Sequence, residues 1–138
     1  MDQTLDMDTI QIMNFFENST KARLKDCLVK NGNIYFVTYE NQAQFAIGRN
    51  GSTIKSMERA LGKSIRVFEY SEDLKTFVKN LVPKANDVNI NNNDGETTVD
   101  IKVNRIDRSF VIGRDGKNLN LIKEILQRNM NVKNVLVK

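Results

Sequence analysis

The 138-residue sequence contains no histidine, one cysteine (Cys27) and one proline (Pro83). Without histidine the commonest general base and metal ligand is missing, and with it every Ser-His or Cys-His nucleophile pair. A single cysteine admits neither an internal disulfide framework nor a Cys-rich zinc site. No apolar run approaches the roughly eighteen residues of a membrane span, and the start carries no signal-peptide pattern. A cytoplasmic protein with no membrane partner is the expectation. A metal-dependent nuclease would need several carboxylates converging on one site, whereas these acids scatter over hairpin turns, the N-terminus and helix starts. The chain is therefore read as a non-enzyme, with no catalytic residue, no metal ligand and no cofactor.

What is present is uneven charge. The net charge is +4. Residues 1–20 hold Asp2, Asp6, Asp8 and Glu17 and no Lys or Arg, so the remainder carries 21 basic against 13 acidic groups. That offset suits a body that meets a polyanion and an N-terminal segment that does not.

The chain also repeats itself, and a repeat decides the architecture before any single element does. Shifted by 65 residues, "FAIGRNGSTIKSMERAL" falls on "FVIGRDGKNLNLIKEIL". Gly48 and Gly51 meet Gly113 and Gly116, Arg49 meets Arg114, and Ile54, Met57 and Leu61 meet Leu119, Ile122 and Leu126. Upstream, Ile34, Phe36 and Thr38 meet Val99, Ile101 and Val103.

Both copies read in the same order. Two β-rich runs flank Asn31-Gly32 in the first and Asp94-Gly95 in the second, the signal for type I′ hairpins. Short helices over Asn41–Ile47 and Arg105–Ile112 lead into the glycine loops. A longer helix follows each, with a core stripe at i, i+3, i+7, and "SIRVFEY" or "VKNVLVK" closes the copy as a strand. Ahead of each hairpin stands another helix. In the first, Ile10, Met13 and Phe16–Glu17 have helical spacing. In the second, Ser71 is the expected N-cap, with Glu72 and Asp73 in the first turn, and Pro83 is the stop. Cys27, between Asp26 and Leu28 on a strand, reads as a small buried residue. The predicted domains are 1–71 and 72–138.

A glycine loop opening a helix presents unpaired backbone N–H groups and the positive end of the helix dipole. Glycine at both ends allows φ > 0 and lets a sugar-phosphate backbone approach without a Cβ in the way. Arg49 and Arg114 add mobile charge, and Ser52 or Lys117 is placed to reach a phosphate from the first helical turn. Ile47 with Ile54, and Ile112 with Leu119, are candidates to floor a groove for unstacked bases. Asp115 opposes a phosphate, so the first loop is expected to bind better than the second. Lys55, Arg59, Lys63 and Arg66 either solvate a helix face or touch phosphate, and the sequence leaves both readings open.

"IGRNGSTIKSM" and "IGRDGKNLNLI" both resemble the KH domain, an apolar residue followed by G-x-x-G-x-x-I-x-x-I, whose loop clamps about four nucleotides of single-stranded RNA. With a helix and hairpin before each βααβ core, the resemblance is to the type II, prokaryotic arrangement. From about Asp8 onward the chain resembles the archaeal NusA-like transcription factors, and "KDCLV", "ALGKSIRVFEYSED" and "FVKNLVPKA" resemble stretches of them. The resemblance implies an α+β protein of two tandem type II KH domains, each a three-stranded mixed sheet with helices on one face. It implies single-stranded RNA binding in transcription termination or antitermination. The RNA-binding residues it carries over are Ile47, Gly48, Arg49, Asn50, Gly51, Ser52 and Lys55, then Ile112, Gly113, Arg114, Asp115, Gly116 and Lys117. RNA polymerase or other transcription factors are further partners it suggests, for a protein expected to be monomeric. The open alternative is a KH pair acting as an RNA binder or scaffold in RNA processing or ribosome maturation.

Overall fold

The computed structural model describes residues 2–138, with side chains from Thr9 onward. The acidic side chains of Asp2, Asp6 and Asp8, read above as part of a segment that does not meet a polyanion, lie outside the described side chains. The chain divides into two compact units, Met1–Ser71 and Glu72–Lys138.

The first unit runs α1 (Asp2–Thr20), β1 (Leu24–Lys30), β2 (Asn33–Thr38), α2 (Ala43–Ile47), α3 (Ser52–Leu61) and β3 (Ser64–Glu69). The second repeats that order as α4 (Leu74–Leu81), β4 (Ala85–Asn93), β5 (Glu96–Val103), α5 (Arg108–Ile112), α6 (Lys117–Met130) and β6 (Val132–Val137). In each, the first two strands are antiparallel and the third lies parallel to the second. This is the mixed three-stranded sheet expected of a type II KH domain, in an α+β fold. A parallel pair needs a crossover connection. Here the crossover is the helix–loop–helix, so each glycine loop sits midway between two packed strands.

Turn chemistry sets the hairpins. Asn31 and Gly32 have φ of 53° and 77°, and Asp94 and Gly95 have 52° and 81°, the paired positive values of a type I′ turn. The second hairpin is two residues longer on each strand. Both hairpins carry the same irregularity near the start of the first strand, where the register slips before Asp26 and before Asp87. In each case the aspartate accepts a hydrogen bond from the next backbone N–H, Cys27 at 2.8 Å and Val88 at 2.9 Å.

The first core forms around Phe16 and Phe36, whose ring centroids are 4.0 Å apart, with Cys27, Ile34, Ala46, Met57 and Ile65. Cys27 is buried, as its strand position predicts. In the second unit Phe77, Val88, Val99, Ile101, Ile125 and Leu126 are fully buried. Burying a side chain of this size removes about 1.5–3 kcal/mol of exposure cost.

Four local expectations shift. On α1 the core stripe is Ile12, Met13 and Phe16, while Ile10 is 57% exposed. Six residues from Phe16 is about 240° around a helix, which swings Ile10 off the stripe. The N-cap of α4 is Asp73, two residues beyond Ser71: its carboxylate accepts from Thr76 N at 3.1 Å. The Thr76 hydroxyl and backbone N–H hold the Asp73 carboxyl below the ordinary aspartate value of 3.8. The short helix predicted over Asn41–Ile47 begins at Ala43, and the one over Arg105–Ile112 opens with a 3₁₀ turn, Arg105–Asp107. The stripe on α6 is also wider than the triplet read from sequence, because Leu121 and Ile125 join Ile122 and Leu126 in the core.

Candidate nucleic-acid interface

Each loop is built from two unlike glycines. Gly48 has φ 74° and ψ 178°, and Gly113 has 80° and 168°. A Cβ on Gly48 would collide with Thr53 Oγ1 and come within 2.9 Å of Thr53 Cβ. On Gly113 it would lie 2.9 Å from both the Cβ and the N of Asn118. The first glycine is thus demanded by the helix that follows. The last glycine is different. Gly51 and Gly116, at φ 71° and 72°, have nothing within 4 Å of an added Cβ. Their backbone turns left-handed beside open space, where an incoming chain has room to pass.

Between them Asn50 (φ 55°, ψ 29°) and Asp115 (φ 56°, ψ 24°) also turn left-handed. Asn and Asp are the non-glycine residues that tolerate this region best. Gly51 N donates to Gly48 O at 3.3 Å and Gly116 N to Gly113 O at 3.1 Å, closing a one-turn 3₁₀ step into the next helix.

That helix starts without a side-chain cap. The N-cap residues of α3 and α6 are Gly51 and Gly116, and no side chain bonds back to either helix start. The first-turn N–H groups and the dipole's positive end therefore face outward, the arrangement that favours an anion. Around it the first unit exposes Arg49, Asn50, Ser52 and Lys55, and the second exposes Arg114, Asp115 and Lys117. Ile47 is 40% exposed, and Ile112, Ile54 and Leu119 are half-buried. All thirteen predicted residues lie on the loops, the residue before each loop or the first turns of α3 and α6.

Sequence reasoning passed over two features. Thr53 and Asn118 occupy the same place, five residues after the first glycine, and each fills the space its glycine leaves. Asn118 Nδ2 also donates to Val111 O at 2.7 Å, tying α6 to α5; the shared spacing was the available signal. The second feature is exposed apolar surface: Phe45 and Phe110, matched in the repeat, are 50% and 73% exposed, and Ile106 is 88% exposed. Two positions along a helix is about 200°, so each Phe lies on the opposite side of its short helix from Ile47 or Ile112. Among the described residues, no three acidic or cysteine side chains group as metal ligands, and no helix is long and apolar enough to cross a membrane.

The pattern described as KH domain matches residues 11–92, more than half of the chain and into the first strand of the second unit. The chain belongs to the KH-domain family. A second pattern, the NusA-like second KH domain, matches residues 74–136, so the two units are tandem KH domains of the NusA-like kind. Three relatives are each named probable transcription termination protein NusA. The one from Thermoplasma acidophilum is 32% identical over 98% of this chain and 95% of its own length. That from Methanococcus vannielii is 33% identical, over 96% and 78%. That from Methanocaldococcus jannaschii is 29% identical, over 96% and 74%. The crystal structure of APE1850 is similar with a TM-score of 0.80 and 34% identity, covering 96% of this chain and 99% of that one.

Proposed function

We propose that this KH pair binds single-stranded RNA through its two glycine loops and acts, as a monomer in the cytoplasm, in transcription termination or antitermination. No chemical step is assigned to it. The observation that carries the reading is the duplicated loop: two uncapped helix starts, each behind a left-handed glycine beside open space and flanked by exposed cations. The transcription role rests on the relatives, each named probable transcription termination protein NusA.

Backbone clamping makes binding salt-dependent. For single strands log K falls with log[salt] at about −0.7 per phosphate neutralised, so three to five contacts give a slope of roughly −2 to −3.5. Titrating a labelled single-stranded RNA at several salt concentrations measures that slope. Duplex RNA should compete poorly, because a groove that receives bases needs them unstacked. An affinity indifferent to salt, or equal for duplex and single strand, would remove the assignment.

A further inference from the structure

The first unit carries a basic stripe whose repeat counterpart differs. Lys55 and Arg59 stand one turn apart on α3, about 6 Å along its axis, on the side away from the buried Met57. Lys63 follows just after Gly62 ends the helix. All three are exposed, and with Glu58, Gly62 and Ser64 they line an open depression of about 540 Å³. The one carboxylate in that lining is engaged, since Glu58 Oε2 accepts from Ile65 N at 2.8 Å. Among the described residues none of the three cations has an ion-pair partner. In the second unit, 65 residues on, Lys55 and Arg59 become Asn120 and Glu124, only Lys63 keeps a basic counterpart in Arg128, and α6 continues to Met130.

We propose that Lys55, Arg59 and Lys63 form a second anion track, which takes phosphates of the RNA strand flanking the nucleotides held at the first loop. The inference rests on the reading above. Clustered cations in a concave surface focus positive potential outward and concentrate a polyanion there. Glu58 sets one negative charge against three positive, and its bond to the Ile65 backbone turns it toward β3, so the lining keeps a net positive charge open to solvent. The depression is open and lined by charged side chains, unlike the enclosed, mostly apolar pocket that holds a small ligand. Lys55 joins the track to the loop, being one turn inside the helix the loop begins.

The test is the full chain carrying Arg59→Gln and Lys63→Gln, with Lys55 left in place as part of the loop site. Labelled single-stranded RNAs of five and about twelve nucleotides are titrated across a salt series. On the longer RNA the double variant should bind about tenfold more weakly, with a salt slope shallower by about 1.4, two phosphates at 0.7 each. On the five-nucleotide RNA it should match the unaltered protein, and Arg59→Lys with Lys63→Arg should restore the long-RNA affinity. Unchanged affinity and slope on the longer RNA would overturn the track, as would an equal loss on both lengths. Failure of the underlying reading looks different: the unaltered protein would then bind neither RNA in a salt-sensitive way, and the track would fall with it.

Discussion

The two glycine loops share one backbone and differ in charge. Their three left-handed residues agree within about 10° in every dihedral, yet the residue between the glycines is neutral Asn50 in one and anionic Asp115 in the other. The turn is set by sterics: a glycine where a helix backbone crowds it, an Asn or Asp where φ is positive, a glycine where the chain opens. Net charge is not part of that specification. A loop of this kind keeps its shape with either residue between the glycines, so shape alone does not rank the two copies.

The largest expected effect asks whether both loops engage at all. Each loop should grip only about four nucleotides. With both on one chain, the second contact is intramolecular, and affinity can rise about 10²-fold without a new interaction. Affinity measured on RNAs of about five to about twelve nucleotides should therefore climb steeply. Equal affinity for the shortest and longest would mean that one loop binds and the other is only a turn.

Next comes the contrast between the first and last glycine. Gly48→Ala adds a Cβ against Thr53 at a positive φ, and thermal or denaturant unfolding should show a loss of about 2 kcal/mol or more. Gly51→Ala has the same φ problem with open space around it, and should cost about 1 kcal/mol. On the proposed reading its RNA affinity should fall further than its stability suggests, because the new methyl would enter the open space left for the strand. Equal stability losses would show that Thr53 gives way and that the two glycines do the same job.

A smaller effect separates the loops by charge. Arg49→Asp with Asn50→Asp keeps residues the turn tolerates, since Asp115 already occupies the equivalent place. Binding should weaken about tenfold, or 1.4 kcal/mol, with an unchanged circular dichroism spectrum. Arg114→Asp in the second loop should cost less, because Asp115 already offsets the charge there. Full affinity in the first-loop variant would end its assignment as the stronger clamp.

Much of this comparison is legible in the sequence. The two loops, hairpin turns and strand order follow from Asn-Gly, Asp-Gly and G-x-x-G, whose backbone demands are local and strong. What was not legible depends on three-dimensional neighbours. Ile10 and Met13 look alike in sequence, and only the phase set by Phe16 decides that Ile10 faces out. Asp73 and Ser71 are both good caps, and the Thr76 N–H and hydroxyl favour Asp73. The thirteen loop residues could be named from the motif, but Thr53 and Asn118 could not. Their role is to fill space beside a glycine; the spacing they share marks the position, but a short polar side chain does not announce the packing.

The finest test of the two copies is the single charge between the glycines. Asp115→Asn gives the second loop the residue of the first, and both residues accept the left-handed conformation, so stability should be unchanged within a few tenths of a kcal/mol. Removing the carboxylate lifts repulsion from any phosphate at Gly116. Because the site is exposed and screened by salt, the gain in affinity should be modest, about threefold or 0.6 kcal/mol, and should shrink as salt rises. Asp115→Gly should act in the same direction. The reciprocal Asn50→Asp in the first loop should lose a similar factor, so the double exchange should reverse the ranking of the loops. If Asp115→Asn instead weakens binding, the carboxylate takes part in recognition, and the unlike charges mark two different ligand sites on one repeated backbone.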